Sequence, residues 1–267
     1  MLIAQISDFH VVPYGTLAYG RVDTRNMLAR AVVALNRLQP QPDLVVLSGD
    51  LTQSGDPAEY DVLMAILAKL RAPVAPAAGN HDDRDAFRAA FPSVVATSAP
   101  SPFIQYVLGF ESLRVIVLDT VTAGSDAPEF CDARAGWFAE TLAASATPAL
   151  VVTHHPLFMT GIPWMDPESL AWTDPIRRVV EAYPGRVTGF VCGHIHRAIH
   201  TQAFGVPASS CPSTAHLVAL DFGAASPRLS MEAPGFQLHA WNGLGLTTYT
   251  ASLERFGSDF SPGDPRL

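Results

Sequence analysis

The sequence predicts a layered α/β fold with a mostly parallel sheet. Apolar runs of strand length alternate along the chain with stretches of helical period, which is the pattern of strand–helix–strand units. Five of the apolar runs end directly in polar clusters that contain Asp, Asn or His. The chain has 267 residues, of which 48% are hydrophobic, and is therefore long enough to bury a full core.

The N-terminal part predicts three strands separated by helices. Asp23 begins a stretch whose apolar residues recur with a helical period, and Pro40 closes it. Asp56, Pro57 and Glu59 fit a helix start, with Asp as the N-cap, Pro in the first turn and Glu three residues after the cap. We expect strands at residues 2–6, 44–47 and 74–78, and helices at 23–38, 56–70 and 83–91.

The C-terminal part continues this alternation and then changes to strands alone. Two apolar runs joined at Gly109 predict a hairpin. Residues 157–174 are irregular, rich in Gly and Pro, and carry aromatic side chains, which is typical of a lid over a site or of a loop folded onto its own core. We expect strands at 103–108, 113–118, 149–153 and 187–191, helices at 134–143 and 176–183, and strand-like runs at 199–204, 216–222, 236–241 and 246–251.

Charge and cysteine content argue against several classes of protein. The formal net charge is −8, and no stretch collects the Lys and Arg needed to follow a phosphate backbone, so a nucleic-acid polymer is not an expected partner. Three cysteines without a C-x-x-C pair are typical of reduced thiols in a cytoplasmic protein. Residues 142–165 lack charged side chains, but Pro148, Pro156 and Pro163 interrupt them, so we predict a strand and a loop there and no membrane segment.

The polar clusters at the strand ends are the strongest functional signal. They contain Asp8 and His10, Asp50, Asn80 and His81, His154 and His155, and His194 and His196. Because ligands of layered α/β sheets bind outside the carboxyl ends of the strands, distant segments can deliver these side chains to one place. Taken singly, each residue could be a turn, cap or core residue. Five such coincidences, with six of the nine histidines, favour a shared site.

The residue types in these clusters predict a metal site. Carboxylate oxygens, imidazole nitrogens and an amide carbonyl, without a thiolate, suit divalent Mn, Fe, Co or Zn. One tetrahedral zinc uses at most four ligands, and the clusters offer more. Two divalent metal ions that share one carboxylate would use them all. Ions about 3.5–4 Å apart could clamp both the attacking and the leaving oxygen of an in-line displacement.

The same residues resemble the five motifs of calcineurin-like metallophosphoesterases. The matching blocks lie in order within residues 1–220: Asp8-Phe9-His10, Gly49-Asp50, Gly79-Asn80-His81-Asp82, His154-His155-Pro156 and Gly193-His194-Ile195-His196. The spacing of the first three blocks is similar to that of the bacterial class III cyclic-nucleotide phosphodiesterase and glycerophosphodiesterase branch. The resemblance implies an α/β fold in the form of a four-layer αββα sandwich with two mixed β-sheets.

The resemblance also implies a role for each site residue. It assigns Asp8, His10, Asp50 and His196 to the first metal, and Asp50 (as the bridge), Asn80, His154 and His194 to the second. His81 would contact the phosphoryl oxygens and assist the leaving group, and Asp82 would orient it. Asn80, His81 and His216 would contact the substrate, although a strand histidine such as His216 can equally be structural. The pre-proline residue His155 is interpreted as structural.

Together these implications predict a dinuclear metal-dependent phosphodiesterase that acts on small phosphodiesters by in-line attack of a metal-bridging hydroxide. Cyclic nucleotides and glycerophosphodiesters both stay open as substrates, because Ala171 and Trp172 stand where the branch commonly has an Asn near the pocket. The alternatives are a phosphomonoesterase on the same site and a non-catalytic scaffold of the same fold. We expect a catalytic domain over 1–230, with 157–174 as a lid-like insertion, and a C-terminal extension over 231–267 packed on it; homo-oligomerisation is left open.

Overall fold

The computed structural model describes residues 1–97, 102–224 and 226–254. In chain order its elements are β1 (Leu2–Ile6), α1 (Thr24–Asn36), β2 (Leu44–Ser48), α2 (Pro57–Leu67), β3 (Val74–Ala77), α3 (Arg84–Ala90), α4 (Pro92–Thr97), β4 (Tyr106–Gly109), β5 (Arg114–Val117), α5 (Asp132–Ala143), β6 (Ala149–Val152), a 3-10 turn (Ala171–Thr173), α6 (Asp174–Ala182), β7 (Val187–Cys192), β8 (Ile199–Ala203), β9 (Val206–Ser210), β10 (Leu217–Val218), β11 (Leu229–Ser230), β12 (Gly235–Trp241) and β13 (Leu246–Ser252).

Two mixed sheets form the centre of the fold. The first has the strand order β13-β12-β1-β2-β3, and the second the order β4-β5-β6-β7-β9-β8. In the first sheet β1, β2 and β3 are parallel, and in the second β5, β6, β7 and β9 are parallel. The antiparallel pairs lie toward the edges, including the predicted hairpin of β4 and β5.

The alternation of side chains along β5 shows how the layers pack. Val115 and Val117 belong to the core that also contains the side chains of β1, β2 and α1. Ile116 and Leu118 point to the opposite face, where they pack in a second core with residues of α5 and α6. The two sheets therefore lie against each other and helices cover their outer faces. The predicted four-layer αββα sandwich is confirmed.

The helix starts follow the predicted capping chemistry. Asp23 accepts a hydrogen bond from the backbone of Asn26 at the start of α1. At the start of α2, Asp56 accepts from the backbone of Ala58, and the Glu59 carboxylate accepts from the backbone of Ser54. Helix α2 ends at Leu67, so the predicted end at residue 70 is three residues too late.

Several short elements differ from the prediction. Helix α4 and strand β9 were not predicted, because α4 is only six residues long and β9 reads Val206–Ser210 with one Pro and two Ser. Strand β4 begins at Tyr106 rather than at residue 103. The run expected at 216–222 is ordered as a strand only at Leu217–Val218, because the chain then turns at Asp221, whose carboxylate accepts from the backbone of Gly223.

The expected C-terminal extension contributes two strands to the first sheet. Strand β12 pairs antiparallel with β1, which places Gln237 opposite Gln5, and β13 pairs with β12. Residues 255–267 of the extension lie outside the described residues. The division of the chain at residue 230 stays a prediction.

Two predictions about the class of protein can be compared with the fold. The three cysteines Cys131, Cys192 and Cys211 are free, as predicted. The uncharged stretch at 142–165 forms the end of α5, strand β6 and a loop. Within the described residues, no helix has the length and apolar content needed to cross a membrane.

Candidate metal centre

The carboxyl ends of strands from both sheets meet at one place. Strands β1, β2 and β3 lead into the first three predicted clusters, and β6 and β7 lead into the last two. The predicted ligands brought together there are Asp8, His10, Asp50, Asn80, His154, His194 and His196. All but Asn80 and His194 are buried, and those two are partly buried. Residues nearly 190 positions apart in sequence thus share one site.

The backbone is strained at most of these positions. Seven non-glycine residues of the described chain have positive φ, and five of them are predicted ligands: Asp8, His10, Asp50, His194 and His196. The left-handed region costs an L-residue roughly 1–2 kcal/mol. Such strain persists only where the surrounding structure fixes it, and it is concentrated at functional sites. The turns after β1, β2 and β7 therefore fix the direction of these side chains at a cost in folding free energy.

Two glycines of the motifs are required by close approach. A Cβ atom on Gly79 would lie 2.2 Å from the Asp50 Oδ1 atom, and one on Gly193 would lie 2.2 Å from the Ser7 Oγ atom and 3.0 Å from the Asp8 Oδ2 atom. Contacts this short would displace Asp50 or Asp8. The glycines allow the carboxylates to lie directly against neighbouring backbone.

The first candidate position lies between Asp8, His10, Asp50 and His196, whose ligand atoms all lie within 4.8 Å of one another. The Nε2 atoms of His10 and His196 are 3.1 Å apart. His196 Nδ1 lies 2.8 Å from the backbone oxygen of His216 and donates to it, which leaves Nε2 with a lone pair. The Asp8 Oδ2 atom is buried and has no hydrogen-bond partner among the described residues.

The second candidate position lies between Asp50, Asn80, His154 and His194. His154 donates from Nδ1 to the backbone oxygen of Ser48 at 2.9 Å, so its Nε2 atom is the one that faces the second position. That atom lies 3.3 Å from Asp50 Oδ1, 2.9 Å from Asn80 Oδ1 and 3.3 Å from His194 Nδ1. Asn80 Oδ1 is 3.0 Å from His194 Nδ1.

Asp126 explains why the carbonyl of Asn80 faces the histidines. Its carboxylate accepts a hydrogen bond from the Asn80 Nδ2 atom at 3.2 Å. With the amide nitrogen held by an acceptor, Oδ1 must point to His154 and His194. Asp126 lies on an exposed loop in no recognised motif, so the sequence offered no signal for it.

The donor set fits divalent cations. Burial lowers the pKa of His194 to about 3 and that of His196 to about 4, so both rings are neutral and offer lone pairs. Burial opposes ionisation of Asp50, but neighbouring His154 holds the pKa of Asp50 well below its usual range. Buried lone pairs and negative charge thus converge from several sides. A positive ion is the partner that satisfies them all.

His81 lies beside these residues and is oriented by the backbone. Its Nδ1 atom is 2.7 Å from the backbone oxygen of Gln53 and donates to it, and its backbone nitrogen donates to Asp50 Oδ1 at 2.9 Å. The ring meets that of His10 edge-on at 4.7 Å between centroids and lines the adjoining cavity. Because Nδ1 carries the hydrogen, the Nε2 atom of His81 can donate only when the ring is cationic.

The prediction that Asp82 orients His81 is wrong. The carboxylate of Asp82 turns away from the site and accepts from the backbone of Leu51, from Thr52 and from the hydroxyl of Tyr60. It also accepts from the Gly79 backbone at 2.9 Å. Asp82 therefore fixes the two motif loops to each other.

His216 lies close to the first candidate position. Its ring centroid is 4.8 Å from that of His196 and 5.2 Å from that of His10, and Tyr19 meets it edge-on at 5.1 Å. The ring is buried and neither nitrogen has a hydrogen-bond partner within the described residues. Burial lowers the pKa of His216 to about 3. The predicted substrate contact stays a prediction.

His155 is held by a side chain of a neighbouring strand end. Its Nδ1 atom is 2.8 Å from the hydroxyl oxygen of Thr120, and the residue is buried. Its ring lies 4.7 Å from the ring of His194, close enough for it to join His154 and His194 in a third group of possible ligands. The structural role of His155 stays a prediction.

A cavity of about 410 Å³ opens above the two candidate positions. Its floor includes His10, Asp50 and His194, and the lid-like segment supplies Trp164 and Trp172 to its wall. Ile162 of this segment is buried against Ile195 and Val218, so the lid packs on the last motif. None of the described residues that line the cavity is Lys or Arg.

Single histidine variants should separate the two candidate positions. We expect His196→Ala to release the ion held with Asp8 and His10, and His194→Ala to release the ion held with Asn80 and His154, each leaving about one metal per chain. Metal content after dialysis measures this.

The matched double variants identify which ion is lost. His196→Ala combined with His10→Ala should retain the same single ion as His196→Ala alone, whereas His196→Ala combined with His154→Ala should retain none. Equal losses in the two double variants would contradict the assignment.

Comparison with known proteins places the chain in a family. A family model described as calcineurin-like phosphoesterase matches residues 1–198. The "Probable cyclic nucleotide phosphodiesterase" of Rhodopseudomonas palustris is 36% identical, with 84% of this chain and 82% of that protein covered. The "Glycerophosphodiester phosphodiesterase GpdQ" of Enterobacter lignolyticus is 31% identical, with 96% and 92% covered. A dimetal phosphatase from Danio rerio is similar in fold, with a TM-score of 0.65, 15% identity and 95% and 99% coverage. The chain belongs to the calcineurin-like phosphoesterase family.

Proposed function

We propose that the protein is a dinuclear metal-dependent phosphodiesterase that hydrolyses small phosphodiesters. The observation that carries the proposal is the position of Asp50 between two ligand clusters. Its Oδ2 atom lies 3.7 Å from His10 Nε2, and its Oδ1 atom lies 3.3 Å from His154 Nε2. One carboxylate thus faces both candidate positions, as a bridging ligand must.

The ligand assignment follows the two clusters. We assign Asp8, His10, Asp50 and His196 to one divalent ion, and Asp50, Asn80, His154 and His194 to the other. Bound there, the two ions would supply Lewis acidity toward the phosphoryl oxygens and an activated water as nucleophile. Mn, Fe, Co and Zn all suit this donor set.

The residues around the ions have separate tasks. When its ring is protonated, His81 can donate from Nε2 to a phosphoryl oxygen or to the departing alkoxide. The donation of its Nδ1 atom to Gln53 keeps the ring in one orientation. Asn80 and His81 line the cavity, and His216 lies behind His10, with 5.2 Å between the ring centroids.

The charge of the cavity favours a diester over a monoester. A monoester carries a second negative charge at neutral pH, since its second pKa is about 6. No Lys or Arg is among the described residues that line the cavity, and Asp126 adds a negative charge at its wall. A diester presents one negative charge to the metal ions and a neutral or cationic group to the rest of the cavity.

The relatives support this substrate class. Two of them are named for cyclic nucleotide and glycerophosphodiester phosphodiesterase activity, and both cover more than four-fifths of this chain. The alternatives are a phosphomonoesterase on the same site and a non-catalytic scaffold. A complete set of candidate ligands together with an oriented His81 argues against the scaffold.

A diester panel tests the proposal. cAMP, glycerophosphocholine and a lipid head-group diester are incubated with protein reconstituted with Mn, Fe, Co or Zn, and kcat/KM for bis(p-nitrophenyl) phosphate is compared with that for p-nitrophenyl phosphate. We expect turnover of at least one small diester and a preference for the diester reagent. A strong monoester preference would establish the phosphomonoesterase, and no turnover by metal-loaded protein would establish the scaffold.

Trp172 should contribute to the affinity of the cavity for the diester substrate. Trp172 lies at the cavity wall, with its ring 6.3 Å from that of His155. An aromatic contact contributes about 0.5–1.5 kcal/mol beyond its buried area, so Trp172→Ala should raise KM for bis(p-nitrophenyl) phosphate roughly three- to tenfold. Metal content and kcat should change little.

Trp137 provides the matched control. It is similarly half-buried but packs on α5 against the core of the second sheet, away from the cavity. Trp137→Ala should leave KM unchanged. An equal rise of KM in both variants would show that Trp172 acts through general stability and not through the substrate.

A further inference from the structure

A series of buried polar side chains runs from β13 to the first candidate metal position. We call it the hydrogen-bond relay; its members are Thr248, His239, Gln5, Ser48 and Ser7, and the last of them, Ser7, directly precedes Asp8 in the chain. All except Thr248 are buried, and the relay crosses β12, β1 and β2. Its outer members, His239 and Thr248, border a second cavity of about 190 Å³. None of the residues preceding Asp8 in the relay belongs to the ligand set.

The amide of Gln5 has only one orientation. Its Nε2 atom lies 2.9 Å from the backbone oxygen of Cys192, which can only accept. The amide nitrogen must therefore face Cys192, and its second hydrogen is donated to Ser48 Oγ at 2.8 Å. The carbonyl Oε1 is left facing His239, whose Nε2 atom is 3.0 Å away.

This orientation fixes the tautomer of His239. Because Gln5 Oε1 can only accept, His239 must carry its hydrogen on Nε2. Burial lowers the pKa of His239 to about 3, so the ring is neutral and Nδ1 has a lone pair. The Thr248 hydroxyl, 2.9 Å from Nδ1, is the donor to it.

The inner end of the relay continues in the same direction. Ser48 Oγ accepts from Gln5 and donates to Ser7 Oγ at 2.7 Å. Ser7 keeps its own hydroxyl hydrogen, and Asp8 Oδ2 is a buried acceptor without a hydrogen-bond partner within the described residues. Both atoms lie against Gly193, where an added Cβ atom would be 2.2 Å from Ser7 Oγ and 3.0 Å from Asp8 Oδ2. The donors of the relay thus point from β13 toward the Asp8 carboxylate. Hydrogen bonds arranged head to tail polarise one another, which strengthens the last one.

We propose that Gln5 is a positioning residue for the metal centre: with His239 it orients Ser48 and Ser7, which hold the Asp8 carboxylate in place to bind the first ion. Gln5 can do this because its amide accepts a hydrogen bond from His239 and donates one to Ser48. The hydrogen bonds on its two sides therefore run in the same direction. Groups that hydrogen-bond to metal ligands typically change metal affinity by about 10–100-fold when they are removed. The proposal rests on the metal centre and not on the identity of the substrate.

The experiment compares two buried glutamines that lie opposite each other. Gln5→Leu interrupts the relay, whereas Gln237→Leu makes the same change at the paired position on β12, whose side chain bonds to Ser209, Ser210 and Thr250. Both are fully buried, so a loss of stability is expected in both. The metal-free proteins are titrated with Co²⁺ in a calorimeter, which gives the affinity of each of the two binding events. Thermal unfolding gives the stability of each variant.

We expect Gln5→Leu to weaken one of the two Co²⁺ binding events by about tenfold or more, and Gln237→Leu to leave both within twofold of the parent. Combining Gln5→Leu with His196→Ala should cost no further ion, whereas combining it with His194→Ala should leave no tightly bound ion. If Gln5→Leu does not fold, Ser48→Ala interrupts the relay by removing a single oxygen and should give the same loss.

The outcomes separate this inference from the proposed function. A parent protein that binds fewer than two Co²⁺ overturns the two-metal site and the relay with it. Two tight binding events in Gln5→Leu, or in Ser48→Ala where it is used, overturn the relay alone. Failure to hydrolyse any diester, with two Co²⁺ bound, affects the proposed function and leaves the relay intact.

Discussion

Replacing Asp50 with alanine is expected to abolish metal retention and turnover together. The Asp50 side chain faces both candidate positions, 3.7 Å from His10 Nε2 and 3.3 Å from His154 Nε2. Metal ions contribute several kcal/mol of transition-state stabilisation, and about 1.4 kcal/mol corresponds to tenfold in rate. We therefore expect kcat/KM for diesters to fall by about 10³-fold or more. Metal content and initial rates on the same preparation measure both effects.

Two further variants distinguish the loss of charge from the loss of structure. Asp50→Asn keeps the shape of the side chain and removes its negative charge, so it should lose metals nearly as fully as Asp50→Ala. Asp61→Asn makes the same change on the exposed side of α2, where it should alter neither metals nor rate. Hydrolysis of diesters by Asp50→Ala at the parental rate would contradict the two-metal site.

The site residues could be predicted because short local patterns encode them. Each of β1, β2 and β3 is an apolar run that ends in its motif residue, and the parallel arrangement of these strands brings Asp8, Asp50 and Asn80 to one edge. The positive φ angles of Asp8 and Asp50 add the local turn that directs their side chains. The alternation of strands and helices predicts this parallel arrangement without knowledge of any single contact between the strands.

Contacts between distant segments could not be predicted in the same way. Asp126 and Asn80 are 46 positions apart, and His239 and Gln5 are 234 apart, yet each pair is hydrogen-bonded. Such pairs leave no periodic pattern in either segment. Adjacency in sequence gave one wrong prediction, that Asp82 orients its neighbour His81. The Asp82 carboxylate instead accepts from the hydroxyl of Tyr60.

His81→Ala is expected to keep both metals and to lose turnover. Among the described residues, no candidate ligand set includes the His81 imidazole, whose Nδ1 atom donates to the Gln53 backbone oxygen at 2.7 Å. Loss of one preorganised donor to a developing charge typically lowers kcat by about 10²–10³-fold. We expect a decrease of this size in kcat with an unchanged metal content. His200→Ala, at an exposed histidine, is the control and should match the parent.

Leaving groups of different basicity distinguish two roles of His81, protonation of the departing oxygen and donation to the phosphoryl oxygens. If Nε2 protonates the departing oxygen, an alkoxide leaving group, as in cAMP, needs that proton far more than p-nitrophenolate does, because the alkoxide is much the stronger base. His81→Ala should then reduce hydrolysis of cAMP or another alkyl diester at least tenfold more than that of bis(p-nitrophenyl) phosphate. Equal losses on both would assign His81 to the phosphoryl oxygens alone, since their charge develops whichever group departs. A variant that loses a metal ion would contradict both roles, because the orientation imposed by Gln53 places the ring beside the metal positions and not in their ligand sets.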